Sequence, residues 1–280
     1  VMVTARELNL DQVKAITDTI EREQIKGPSG ELVQIEIFAH GALCMAVSGK
    51  CYLSLDNLNS SANRGACLQT CRRPYAVKDK DGGIELEVDN EYIMSPKDLK
   101  TVGFLDRILN SGVRVLKIEG RGRSAEYVKK VTRVYGEAAD AWLAGTYTHE
   151  KIEQWDLELN SVYNRGFWDG YYLGRKMGEW TERYCNQATT KKLFLGSITN
   201  YFTKLGVAEL QMQTYDLNVG DQINIIGPTT GVYEDVITEL RVDLQKVEQA
   251  LKGQAVSFST KEIVRRGDKV YKLIENDGQE

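Results

Sequence analysis

The chain has 280 residues, of which 42% are hydrophobic, and its formal net charge at pH 7 is -4. This is enough apolar material for the core of one large or two modest domains. The near-neutral charge excludes a chain-wide basic footprint for nucleic acid, so any such binding must rest on local patches. We find no apolar run that could span a bilayer and no secretory signal, and we expect a cytoplasmic protein without membrane contact.

The first elements can be predicted from their periodicity. Residues 1–5 have the pattern of a strand with no preceding segment, so we expect the chain to be an N-terminally truncated fragment. A helix is predicted from Asn9, because apolar residues recur at helical spacing and Asn9 with Gln12 resembles a capping box. Alternation over residues 32–38 predicts the next strand.

A long loop after this strand carries four of the five cysteines. They are Cys44, Cys51, Cys67 and Cys71. Cytosolic thiols stay reduced, so we expect no disulfide framework, and thiolates are soft ligands for zinc or an iron-sulfur cluster. The spacing differs from that of a zinc ribbon with two short hooks. We predict a metal centre or cluster here; the alternative is four buried thiols that pack as small apolar residues.

Polar residues near the predicted strands are the catalytic candidates. His40, close to Cys44, can bind a metal, transfer protons or simply hydrogen-bond the backbone. Glu36 and Lys117 lie on predicted strands, and burying their charges inside a barrel would cost free energy unless the two charges are paired. Glu119 comes directly after the second of these strands. We predict that Glu36, His40, Lys117 and Glu119 are catalytic; the alternative for the charged residues is a structural ion pair.

A glycine-interrupted loop containing Arg121 and Arg123 leads into a helix predicted to begin at Ser124. Guanidinium groups and free N–H groups at a helix start suit an anionic ligand. We predict that both arginines bind a cofactor, although solvated surface arginines would show the same pattern. The sequence contains no Ser-His-Asp triad that can be recognised and no HExxH or GxSxG motif, so protease chemistry has no direct support.

The remaining predicted elements first alternate between strand and helix, and short strands follow towards the C-terminus. Residues 75–89 predict a hairpin, and Ser95, Pro96 and Asp98 predict the start of a helix that ends at Gly112. A strand over residues 113–118 and the helix from Ser124 follow, which together imply parallel strands. Residues 151–192 are predicted to be a helical and aromatic connector, in which the fifth cysteine is structural or incidental. Short apolar strands over residues 193–274 predict a small antiparallel β-barrel.

Four motifs carry a resemblance to a known family. EIFAHGALCMAVSGKC, ANRGACLQTCRRPY, IMSPKDL and LKIEGRGRS follow one another in this order. Through them, roughly residues 1–175 resemble peptidase family U32, the collagenase-like proteases. The resemblance implies an α/β fold in which residues 1–150 are the C-terminal part of a modified TIM-type (β/α) barrel with an extended cysteine-rich loop. Residues 193–280 then resemble a small β-barrel accessory domain of some members.

The same resemblance carries functional expectations. The motifs are similar to those of bacterial tRNA hydroxylation proteins, which implies tRNA as a partner, prephenate as a co-substrate and 5-hydroxyuridine at the wobble position as the product. It also implies a four-iron cluster on the four loop cysteines. Zinc on His40 and Cys44, with a peptide substrate, is the alternative expectation, and a non-catalytic protein that docks RNA or a partner hydroxylase is a third. A homodimer is also expected.

Overall fold

The computed structural model describes residues 1–60, 66–75, 94–181 and 186–276. The predicted hairpin, apart from its first residue, and Cys185 lie outside these residues. The chain divides into two compact units, the first made of residues 1–122 and 130–187 and the second of residues 123–129 and 188–280. In the described part of the chain, no helix has the length and hydropathy needed to cross a bilayer.

The first unit is a mixed α/β structure. Its strands are β1 (Met2–Val3), β2 (Ile35–Ala42), β3 (Asp98–Lys100), β4 (Val115–Ile118) and β5 (Phe167–Trp168). Its helices are α1 (Leu10–Glu23), α2 (Tyr52–Leu58), α3 (Leu105–Asn110), α4 (Ala125–Leu143) and α5 (His149–Asn160). The first turns of α4, up to Lys129, belong to the second unit.

Strand β2 is the centre of the first sheet. It pairs in parallel with β1 and β4, as the alternating pattern predicts, and it pairs antiparallel with β3, which in turn pairs in parallel with β5. Ile35, Ile37 and Ala39 are fully buried, whereas Glu36 and Phe38 between them are partly exposed on the opposite face. The α/β class is therefore confirmed, but the described strands form an open mixed sheet and no closed TIM-type barrel is observed in them.

Local signals set the ends of helix α1. The Asn9 side chain accepts a hydrogen bond from Gln12 N at 2.9 Å, and the Gln12 side chain accepts one from Asn9 N at 3.0 Å. The predicted capping box is therefore confirmed. In the middle of the helix, Thr17 packs against Gly112, which has a φ of +89°. A Cβ added at Gly112 would lie 2.8 Å from the Thr17 side chain.

Helices α4 and α5 are joined by charged and aromatic side chains. Arg133 Nη1 lies 2.7 Å from Glu137 Oε1, and Trp155 Nε1 donates to Glu137 Oε2 at 3.2 Å. The hydrogen bond from Arg133, which outweighs the opposing effect of burial, lowers the pKa of the Glu137 carboxyl. This pair contributes to stability only while Glu137 is ionised.

The predicted helix start at Ser95 is wrong. Asp98–Lys100 is instead strand β3, and α3 begins only at Leu105. Pairing on both sides explains the difference, because β3 lies between β2 and β5 and the Asp98 N–H donates to Gly166 O at 2.9 Å. These non-local hydrogen bonds override the local helix-cap signal.

The second unit is predominantly antiparallel. Its strands are β6 (Thr190–Phe202), β7 (Val207–Met212), β8 (Leu217–Asn218), β9 (Gln222–Gly227), β10 (Gly231–Val236), β11 (Leu240–Val242), β12 (Gln245–Val247), β13 (Gln249–Ala250), β14 (Ala255–Ser259) and β15 (Lys269–Glu275). Eight of them follow the order β10-β9-β15-β6-β7-β14-β11-β12, and β8 pairs with β13. The antiparallel arrangement is confirmed, but among the described residues β10 and β12 do not pair to close a barrel.

A continuous apolar core fills the second unit. It includes Leu195, Leu210, Ile225, Val256 and Val270, all fully buried. Alternate residues of β7 and β14 point into this core and their neighbours are partly or fully exposed. The predicted boundary at residue 193 is close to the observed start of this unit at residue 188, although a separate connector stays a prediction.

Candidate functional site

Two predicted residues and one aromatic ring meet on the open face of the first sheet. Lys117 and Phe38 are register partners in β4 and β2, and Lys117 Nζ lies 2.8 Å from Glu36 Oε1. The same ammonium group lies 5.4 Å from the centre of the Phe38 ring. The Lys117 side chain is 42% exposed and that of Glu36 16%, so this charged pair borders solvent. The strands therefore bring together two of the four predicted catalytic residues, while their role in catalysis stays a prediction.

Arg6 and Tyr172 complete this face and were missed in the sequence. The Arg6 guanidinium lies 4.0 Å from the Phe38 ring centre, and Tyr172 donates a hydrogen bond to Phe38 O at 2.8 Å. Burial raises the pKa of the Tyr172 phenol, which keeps this donor protonated. The position of Arg6 directly after a predicted strand was a signal, since parallel strands place ligand sites beyond their carboxyl ends.

His40 is packed inside the unit. Only 1% of it is exposed, and its ring lies against the rings of Tyr135 and Phe167 at 5.5 and 5.4 Å between centres. The Tyr135 hydroxyl is 3.3 Å from His40 Nδ1, donates to Ala39 O at 2.9 Å and accepts from Thr101 N at 2.9 Å. This network holds β2 at its irregularity between Phe38 and His40. The structure thus places His40 in a buried network away from solvent.

Glu119, Arg121 and Arg123 do not form one described group. Glu119 N donates to His40 O at 2.9 Å, and the Glu119 carboxylate accepts from Arg121 N at 3.0 Å, which shapes the loop after β4. Arg121 is exposed. Arg123 belongs to the second unit, where its guanidinium lies 5.2 Å from the centre of the Tyr127 ring. A shared anion-binding role for the two arginines therefore stays a prediction.

The four loop cysteines lie on the connection between β2 and β3, and all are free thiols. Cys51 is the N-cap residue of α2, with its sulfur 3.6 Å from Ser54 Oγ. Burial opposes ionisation of Cys51, but hydrogen bonds from Ser54 and Leu53 bring its pKa below the usual value. For Cys71, burial raises the pKa, Arg72 lowers it, and the charges of the other three loop cysteines raise it further.

Arg72 fixes the base of this connection. Its guanidinium donates to Leu43 O at 2.7 Å, to Ser95 Oγ at 3.0 Å and to Pro96 O. Burial and the nearby Arg165 lower the pKa of Arg72. The cysteine-bearing segment is thereby tied to the end of β2 and to the approach to β3.

The donor set suits a cluster by number and chemistry. Four reduced thiols on one connection match the cysteine ligation of [4Fe–4S] clusters. In the described residues, however, no three His, Cys, Asp or Glu side chains are already set at metal-ligand spacing. Binding would therefore have to draw the sulfurs together, and His40 in its buried network is a poorer candidate for a zinc ligand beside Cys44.

Comparison with known proteins decides the family. The sequence model of peptidase family U32 matches residues 1–182. The chain belongs to peptidase family U32. The resemblance expected from the four motifs is confirmed.

The U32 relatives carry two kinds of name. A protein named collagenase from Porphyromonas gingivalis strain W83 is 58% identical over 98% of this chain and 66% of its own length. The tRNA hydroxylation protein P1 of Bacillus subtilis is 32% identical over 80% of this chain and 54% of its own length. A 23S rRNA 5-hydroxycytidine synthase of Escherichia coli is 30% identical over 99% of this chain and 37% of its own length. This U32 chain thus spans between about a third and two thirds of the length of these relatives.

Proposed function

We propose that this U32 protein takes part in RNA hydroxylation and that its cysteine loop holds an iron-sulfur cluster. The observation that carries the proposal is the placement of four free thiols on one connection, between β2 and β3. Relatives named for tRNA and rRNA hydroxylation support the choice of RNA as the substrate class. The cytoplasm as location, tRNA as the particular partner and a homodimer belong to the same proposal.

The roles of the protein's own residues follow from their positions. Cys44, Cys51, Cys67 and Cys71 would hold the cluster, which supplies one-electron chemistry when bound. Arg72 fixes the base of the segment that carries them. On the open sheet face, the Lys117–Glu36 pair borders the space in which prephenate and the RNA base would be held.

Peptidase activity is the second candidate, because the 58% identical relative is named collagenase. The described geometry gives this candidate little to work with. His40 is buried against Tyr135 and Phe167, and His149 is an exposed residue of α5 whose ring pairs with Glu153 at 3.2 Å. Neither histidine is therefore arranged to activate a water molecule in the described part of the chain.

The test uses full-length protein purified without oxygen. Wild type is expected to show broad visible absorption with stoichiometric iron and sulfide. Cys67→Ala should lose this absorption, and Cys185→Ala, the cysteine outside the loop, should retain it. Nucleoside mass spectrometry of RNA from cells that lack the gene should then show loss of a hydroxylated pyrimidine, restored by wild type and not by Cys67→Ala.

The same preparation tests the second candidate. Colourless wild-type protein that binds zinc, and that cleaves gelatin until His40 is replaced by alanine, would establish peptidase activity and overturn the cluster assignment. Normal hydroxylated RNA in cells that lack the gene would overturn the RNA proposal even if a cluster is present.

A further inference from the structure

Arg6 occupies the position where parallel sheets bind ligands. Strands β1, β2 and β4 are parallel, so their carboxyl ends lie at one edge of the sheet. Arg6 follows β1, Phe38 lies near the middle of β2, and Lys117 lies in β4. In open α/β sheets, ligands bind just beyond this edge. The three side chains are in contact there, because both cations lie over the Phe38 ring.

The two cations differ in what neutralises them. Lys117 forms an ion pair with Glu36. Arg6 is partly buried, and among the described residues no carboxylate lies within ion-pair distance of it and its side chain makes no hydrogen bond. Its guanidinium is held 4.0 Å from the Phe38 ring centre, which restrains the group while leaving its N–H donors available. A partly buried and restrained fork of donors suits an anion as its acceptor.

We infer that Arg6 binds the carboxylate of a small-molecule ligand at this edge of the sheet. A planar carboxylate matches the guanidinium fork with two parallel hydrogen bonds. The surroundings do not form a broad basic surface, because Glu36 neutralises Lys117 and Glu7 follows Arg6 directly. An RNA backbone would need several unneutralised cations, so a single carboxylate is the better match. The inference rests on the proposed function, since it places the carboxylate co-substrate on a residue that the motifs did not indicate.

The test measures binding without turnover. Full-length protein is titrated calorimetrically with prephenate and, separately, with inorganic phosphate. Arg6→Met keeps an apolar stem over Phe38 and removes the fork, and it is expected to weaken prephenate binding by about 10- to 100-fold. Arg6→Lys keeps the charge without the fork and should fall between Arg6→Met and wild type. Arg22→Met is the matched control, because Arg22 is an exposed arginine of α1 paired only locally, and it should bind like wild type.

The possible results separate this inference from the proposed function. Equal prephenate affinity of wild type and Arg6→Met would overturn it, as would the absence of prephenate binding by wild type. Loss of phosphate or RNA affinity in Arg6→Met, with prephenate binding unchanged, would show that the anion is a phosphate and would also overturn it. Arg6-dependent prephenate binding by a protein that hydroxylates no RNA would support the site while refuting the proposed function. An unchanged urea midpoint of Arg6→Met shows that any loss is local.

Discussion

Arg72→Met is expected to destabilise the first unit strongly, because Arg72 closes the base of the cysteine loop. Its guanidinium joins Leu43, just after β2, to Ser95 and Pro96, just before β3. Methionine preserves much of the apolar stem but leaves three acceptors without their donor. Hydrogen bonds from a charged donor contribute about 1.5–3 kcal/mol each, and water replaces some of them, so we expect a loss of about 3–5 kcal/mol. Typical total stabilities are about 5–15 kcal/mol, which makes this loss readily measurable.

The assay is urea unfolding followed by tryptophan fluorescence, because every tryptophan belongs to the first unit. They are Trp142, Trp155, Trp168 and Trp180. Arg73→Met is the matched control: Arg73 is adjacent and exposed, and its replacement should change stability by less than about 0.5 kcal/mol. Equal losses in the two variants, or a loss below about 1 kcal/mol in Arg72→Met, would refute the reasoning.

Three further predictions follow from contacts described above. Gly112→Ala combines a positive φ with a clash against Thr17 and should lower the free energy of unfolding in urea by about 2 kcal/mol or more. Gly145→Ala, at a positive φ but with open space around the added methyl group, should lower it by about 1 kcal/mol. Equal losses would contradict the clash. The Tyr135 hydroxyl donates its single proton to the carbonyl of Ala39, so His40 should carry its own proton on Nδ1 and donate it to the Tyr135 oxygen. Nitrogen NMR should show this tautomer in wild type and its loss in Tyr135→Phe. An Nε2-protonated ring in wild type would contradict the prediction. The hydrogen bond from Arg133 lowers the pKa of Glu137 in the folded state, so its contribution to stability is present above the unfolded-state pKa and is lost as pH falls through the folded-state pKa. Glu137→Gln should therefore reduce stability at pH 7 by about 0.5 kcal/mol, and in thermal unfolding its difference from wild type should disappear as the solution is acidified.

Much of the architecture was predictable because it depends on local signals. The capping box at Asn9 sets the start of α1, and short apolar runs between turns predict strands β7 and β14 close to their observed positions. The helix predicted from Ser95 failed because backbone hydrogen bonds to two other strands decide that segment. No local pattern records such a pairing, since its partners are distant in sequence.

The candidate site was predictable only in part for the same reason. Residue chemistry and strand position were enough to select Glu36 and Lys117, which form the expected pair. They could not show that His40 lies within a buried network, because this depends on Tyr135, 95 residues further along the chain. Arg6 was missed because its position after a predicted strand is a weak signal by itself, and only the contact with the Phe38 ring distinguishes it from other arginines.

The cysteine-bearing connection begins and ends at neighbouring points of the sheet. Ala42 at the end of β2 and Asp98 at the start of β3 are register partners, and residues 43–97 lie between them. An insertion with adjacent ends can be lengthened, shortened or exchanged with little effect on its host, because the entropy of loop closure grows only slowly with length. We therefore expect this connection to be exchangeable as a module, provided that the contacts of Arg72 at its base are kept: a connection from another U32 protein that keeps them, joined at the same two residues, should be accepted by the same sheet and bring its own chemistry with it.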